Sequence, residues 1–137
     1  MDSLWPLEQE LPLGPRLRHP KHMRVGRIIR KPLVTIEWGR KLITSVDVRE
    51  VTFAPRQETV RHRHPYPVIG FVVEGTALLE VDGEEPQTLP AGSSFYEPAG
   101  IVIRRFANLS SAFPMKFIAH YLLDGAQDLI EMLPEHE

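Results

Sequence analysis

The sequence predicts an all-β fold, a sandwich or jelly-roll barrel, and three observations carry that prediction. About nine or ten short strand-like segments follow one another at regular spacing, each bounded by turn residues. Thirteen prolines and nine glycines, spread through 137 residues, supply that punctuation. No amphipathic stretch of about 10–15 residues separates the segments, as a parallel α/β fold would require.

The elements follow in order. Pro6, Pro12, Pro15 and Pro20 leave residues 1–26 little room for regular structure. This stretch is expected to form an N-terminal arm, with Trp5, Leu7, Leu11 and Leu13 as anchors on a neighbouring subunit. From Arg16 to Lys31 there are seven basic residues and no acidic one. That run is either a patch for an anionic partner or, as preferred here, a solvated arm. Residues 27–137 are expected to form a single barrel domain. Its first strands are predicted over Arg30–Glu37 and Lys41–Phe53. In the second, Ile43 breaks parity with Val46 and Val48, so a bulge or a two-sided strand is expected. Glu58–His64, Val68–Glu74 and Thr76–Val81 come next, and Asp82-Gly83 signals a tight hairpin. Gln87–Leu89, Ser94–Glu97, Ile101–Phe106 and Lys116–Leu123 complete the strands. Only Ala126–Leu133 has helical character, as a short C-terminal helix.

Composition excludes several functions. Net charge is −2, from 16 basic and 18 acidic residues, so no global field recruits nucleic acid or an anionic membrane. The absence of cysteine removes disulfides, thiolate nucleophiles and thiolate metal sites. No run is long enough for a transmembrane helix and no signal layout opens the chain, which leads to a cytoplasmic expectation. Ser93, Ser94, Ser110 and Ser111 lie in no glycine-flanked elbow, and no phosphate-cradling loop appears.

The chemistry concentrates in His62-Arg63-His64-Pro65. Two histidines one residue apart share a face of an extended chain, here with Val60, while Thr59, Arg61 and Arg63 take the other. A face with two imidazoles and no charge is most simply an interior one. There they can grip a divalent metal or orient a polar ligand.

The order His62-X-His64, Gly75, Asp82-Gly83, Gly92, Pro98-X-Gly100 resembles the two-motif pattern of the cupin superfamily over roughly residues 40 to 123. It looks most like the small single-domain cupins whose second motif reads Ser-Phe-Tyr-Glu-Pro-X-Gly, here Ser94 to Gly100. The resemblance implies a double-stranded β-helix (a cupin jelly-roll barrel), commonly dimeric, with its active cavity inside. It also implies two histidines and a glutamate from the first motif, with a third histidine from the second. In this chain the glutamate position falls on Val68 and the third histidine on Ile103. With one inserted residue after Gly100 that slot falls on Arg104 instead. The opening glycine of the motif is Arg56, and the closing asparagine position is Ala107, with Asn108 one residue later. Only His62 and His64 remain of the implied ligands.

Two imidazoles alone make a poor metal site, since catalytic centres normally supply about three protein ligands. Glu97, His120 and Tyr66 are the candidate substitutes. Alternation puts Val68, Gly70 and Val72 on one face, where Gly70 would leave room for a ligand. Val68 and Ile103 would make the pocket more apolar than that of a metal cupin, and an inward Arg104 would favour an anionic substrate. Desolvated, both imidazoles would have lowered pKa values and stay neutral near pH 7. The expectation is therefore no cofactor, or a weakly held divalent metal such as Fe, Mn, Ni or Zn.

Three functions stand against one another. The first is a small-molecule enzyme with His62, His64 and Glu97 as catalytic residues. With a metal, the resemblance suggests dioxygenation or isomerisation; without one, acid–base chemistry fits isomerisation, dehydration or cyclisation. The second is a non-catalytic binding module or sensor, and the third a structural dimer with a decayed site. Fold likeness alone does not choose among them.

Overall fold

A computed structural model describes residues 26–134. The chain divides into two compact units, residues 1–33 and 34–137. The expected arm, residues 1–26, lies outside the described residues but for Gly26.

The second unit is all-β, with no helix among the described residues. None is therefore long and apolar enough to cross a membrane. Its strands are β1 (Ser45–Phe53), β2 (His62–Arg63), β3 (Val68–Glu74), β4 (Thr76–Val81), β5 (Gln87–Pro90), β6 (Ser94–Glu97), β7 (Ile103–Asn108), β8 (Met115–Leu123) and β9 (Glu131–Met132). They form two antiparallel sheets, one in the order β1-β8-β3-β6 and the other β5-β4-β7-β2-β9. This is the jelly-roll architecture expected from the strand spacing.

Alternation is clearest in β4, where Ala77, Leu79 and Val81 are fully buried between half-buried neighbours. Val68 and Val72 from β3, Phe95 from β6 and Met115 and Phe117 from β8 meet them in the core. At its centre Phe53, Phe95, Phe106 and Phe117 pack ring against ring, with centroids 4.9–5.8 Å apart, mostly edge to face. That geometry suits the quadrupole of each ring.

Three expectations are corrected. Residues 28–44, including Arg30–Glu37, form no strand; Pro32 removes a donor from the run. Ile43 breaks parity simply because β1 begins two residues later, at Ser45. The C-terminal segment is not helical. Glu131–Met132 within it form β9, which pairs His62 with Met132 and Arg63 with Glu131, and Leu133 N–H donates to the Arg61 carbonyl at 2.9 Å. Sheet partners outweighed the local helical character, as tertiary context does for short segments. The Asp82-Gly83 signal does mark a turn, closed by Glu84 N–H on the Val81 carbonyl at 3.0 Å. Three further residues precede β5, so the connection is longer than a two-residue hairpin.

A bulge in β7 explains the displaced asparagine. Glu80 pairs with Arg105 and Val81 with Ile103, leaving Arg104 as the extra residue. Ile103 and Phe106 therefore both point inward, and Arg104 is exposed. Asn108 is carried to the buried position, where its Nδ2 donates to the carbonyls of Ala54 at 3.0 Å and Phe113 at 2.8 Å. Its Oδ1 accepts from Ser110 N–H at 2.9 Å. One amide side chain thus ties the β1–β2 loop to the β7–β8 loop.

Arg56 sits third in the turn Ala54–Gln57, after Pro55, with φ of 61°. That left-handed conformation is where the resemblance expects glycine, and it strains an L side chain by roughly 1 kcal/mol. Arg56→Gly is accordingly expected to raise the unfolding free energy by about 0.5–1 kcal/mol. Urea denaturation of the two proteins checks it.

Candidate metal centre and cavity

His62 lies on β2 between Ile103 of β7 and Met132 of β9. His64 follows it on the same side, and the two rings meet edge to face with centroids 5.0 Å apart. Both are buried, at 2% and 4% exposure. Each ring is held by a backbone carbonyl. His62 Nδ1–H donates to Val60 O at 2.8 Å, and His64 Nδ1–H to Leu129 O at 2.7 Å. With Nδ1 donating, each Nε2 is turned toward the interior, the arrangement that orients metal-binding histidines.

The third group is Glu97, 4% exposed, whose Oε1 lies 2.7 Å from His64 Nε2. Strand register explains its arrival. Val68, in the glutamate position implied by the resemblance, pairs across β3–β6 with Glu97. The carboxylate missing from β3 is supplied by the strand beside it. One donor atom from each of His62, His64 and Glu97 lies within 4.8 Å of the others, near enough for small rotations to gather them on one ion. Two imidazoles and a carboxylate make the donor set of a facial triad, which suits a divalent transition metal and leaves coordination positions open. These residues fit a metal.

Without an ion, one proton lies between His64 Nε2 and Glu97 Oε1, because two bare lone pairs would repel at 2.7 Å. Burial pushes His64 down, but the hydrogen bond and charge of Glu97, helped by the Leu129 carbonyl, outweigh it and leave His64 above the usual histidine value. His62 follows the expectation of a lowered pKa, with burial the main cause. The two imidazoles therefore differ, which the symmetric reading of the motif did not anticipate.

The centre opens on a cavity of about 130 Å³, walled by Phe53, Phe95, Phe106, Phe117 and Ala119, with Ile130 from the C-terminal segment. Val68 also lines it. The other pocket candidates stand elsewhere. Gly70 faces inward, but a Cβ there would lie 2.0 Å from the Phe95 ring, so an aromatic side chain fills that space and leaves none for a ligand. Ile103 is fully buried in the core cluster opposite His62. Arg104 is the exposed bulge residue, so no arginine enters from β7. His120 has the opposite parity to Ala119 and Tyr121, and its Nδ1 bonds the Ile69 carbonyl at 2.9 Å. Tyr66 donates its hydroxyl to Leu42 O at 2.7 Å, and Lys41 sits over its ring.

Sequence reading missed Tyr121, which lines the cavity with its ring centroid 5.9 Å from that of His64. Burial first, then the charge of Glu97, pushes its phenol above the ordinary value. Strand β8 is apolar on both parities, so no signal in its own sequence chose the inward face. Phe95 was legible, standing two residues before Glu97 on the same face.

The comparisons agree with this architecture. Residues 49–121, more than half of the chain, match the family model described as Cupin domain. The β-alanine degradation protein BauB of Pseudomonas aeruginosa is 35% identical over 78 residues, which is 56% of this chain and 77% of that one. Among solved structures, a cupin-like protein from Thermotoga maritima superposes with a TM-score of 0.55 at 22% identity, covering 64% of each chain. The DMSP lyase DddQ from Ruegeria pomeroyi gives 0.58 at 18%, covering 68% of this chain and 45% of that one. Oxalate oxidase gives 0.53 at 22%, covering 64% and 46%. The chain thus spans under half the length of these two enzymes. Fold, motif and matched residues together make this chain a member of the cupin family.

Two expected outcomes follow from the packing. Gly70→Ala is expected to lower stability by about 2 kcal/mol, since the Phe95 ring must leave its place; denaturant unfolding measures it. A chain ending at Asp128 loses the Leu129 carbonyl that orients His64, and should hold Zn(II) about 10–100-fold more weakly. Chelator competition reads that loss, with circular dichroism confirming the β fold.

Proposed function

We propose that this chain is a metal-dependent cupin acting on a compact organic molecule bound in the cavity beside His62, His64 and Glu97. The observation that carries the reading is the buried His62–His64–Glu97 cluster, with its carboxylate supplied across the β3–β6 pair from Val68. Iron, manganese, nickel or zinc are the metals such donors suit. A bound ion would supply Lewis acidity toward an oxygen of the substrate, and redox chemistry if it were iron or manganese. His62 and His64 would hold it through Nε2, each fixed by a backbone carbonyl, while Glu97 balances charge. The phenylalanine walls exclude water and receive the apolar part of the substrate. Isomerisation, dehydration, cyclisation and dioxygenation all stay within this proposal. The names of the similar proteins, a β-alanine degradation protein, a DMSP lyase and an oxalate oxidase, support small-molecule chemistry.

Protein purified without chelator and then offered Fe(II), Mn(II), Ni(II) or Zn(II) should take up about one equivalent of at least one of them. Glu97→Gln, close in shape, should weaken that uptake by more than about a hundredfold. Uptake should also weaken as pH falls through the histidine range, because His64 and Glu97 must release their shared proton. Metal content below about a tenth of an equivalent for all four ions would end the metal reading.

A further inference from the structure

The polar groups around the cavity are nearly all committed. Thr59 Oγ1 accepts from Phe106 N–H at 3.1 Å, and both histidines spend Nδ1 on backbone carbonyls. Glu97 is engaged with His64. Two groups are exceptions: His62 Nε2, an acceptor once Nδ1 donates to Val60, and the donor Tyr121, whose hydroxyl has no hydrogen-bond partner among the described residues. The register places Tyr121 close to the centre. Val68 has two cross-strand neighbours, Glu97 on β6 and Tyr121 on β8. A carboxylate and a phenol therefore flank one valine at the same level of the cavity, and the phenol ring leans on His64.

Size and charge restrict what can sit there. A volume of about 130 Å³ is well below that of a drug-sized pocket and close to the roughly 150 Å³ apolar cavity that holds benzene. A ligand of about six to eight heavy atoms fits such a space. Among the described residues no lysine or arginine lines it, and the His64 imidazole is already engaged with Glu97, so the protein offers a free anion no uncommitted cation. The aromatic and aliphatic walls demand an apolar body.

We propose that Tyr121 positions the ligand, and that the ligand is a compact, mainly apolar molecule whose single oxygen-bearing head accepts the Tyr121 hydrogen bond beside His62, His64 and Glu97. An alcohol, phenol or ketone on a small ring or short chain has that chemistry. A molecule carrying a second, free carboxylate does not. The inference rests on the reading of this cavity as the working site, and it deepens that reading by naming the ligand class.

The test compares phenol with toluene, equal in size but lacking the oxygen, on the full chain in metal-free and Zn(II)-loaded forms, by calorimetry or ligand-observed NMR. Tyr121→Phe should weaken phenol about three- to tenfold and leave toluene unchanged. Its Zn(II) uptake should equal that of the unaltered protein. Ala119→Leu fills the cavity and should abolish binding of both probes. Phenol affinity unchanged by Tyr121→Phe would overturn the proposal, as would phenol binding that survives Ala119→Leu. So would benzoate binding the metal-free protein more tightly than phenol does. Failure to take up Zn(II), with the Tyr121-dependent preference for phenol intact, would instead remove the metal reading and leave this one standing.

Discussion

A buried carboxylate is the constraint on which the site depends. Removing Glu97 from water costs several kcal/mol unless a partner compensates, and at 4% exposure it has little solvent to turn to. His64 is that partner, at 2.7 Å, and the contact has consequences on both sides. It holds His64 above its ordinary pKa against the pull of burial, and it requires the imidazole to be anchored from behind. The anchor is the carbonyl of Leu129, far away in sequence. The C-terminal segment is therefore part of the site, held there by β9 pairing with the histidine strand.

Register does the same kind of work inside the first sheet. Val68 cannot bind a metal, yet its pairing partners are Glu97 and Tyr121. The carboxylate that the family pattern writes on one strand stands here on the neighbouring one, and a phenol stands on the other side. Side chains directly opposite in an antiparallel pair stand about 5 Å apart, so such a transfer moves the donor little. Ile103, opposite His62, has no comparable substitute and closes that direction with hydrocarbon.

Position in the motif also depends on the β7 bulge. The extra residue at Arg104 lets Ile103 and Phe106 face inward together and moves the motif's closing asparagine to Asn108. There it serves the carbonyls of Ala54 and Phe113. Arg56, strained at a position that suits glycine, lies in the turn beside it, its N–H on the Ser110 carbonyl at 2.8 Å. The end of the barrel away from the histidines is thus built around one amide and one strained turn.

The chain alone determined the all-β class, most strand positions and the family, because period-2 alternation and turn residues are local properties. β4 and the histidine strand show it: Ala77, Leu79 and Val81, like His62 and His64, sort to one face by spacing alone. Which face β8 presents was not local. With apolar residues on both parities, only pairing with β1 and β3 turned Tyr121 inward and His120 outward. The C-terminal segment likewise carries a helical pattern locally and becomes a strand because β2 offers it an edge. Gly70 reads as free space along its strand and is filled by Phe95 from the next. The sequence therefore settled which residues could do chemistry, and the tertiary structure settled which of them meet. Meeting depends on cross-strand register and packing between distant segments, and no local pattern encodes those.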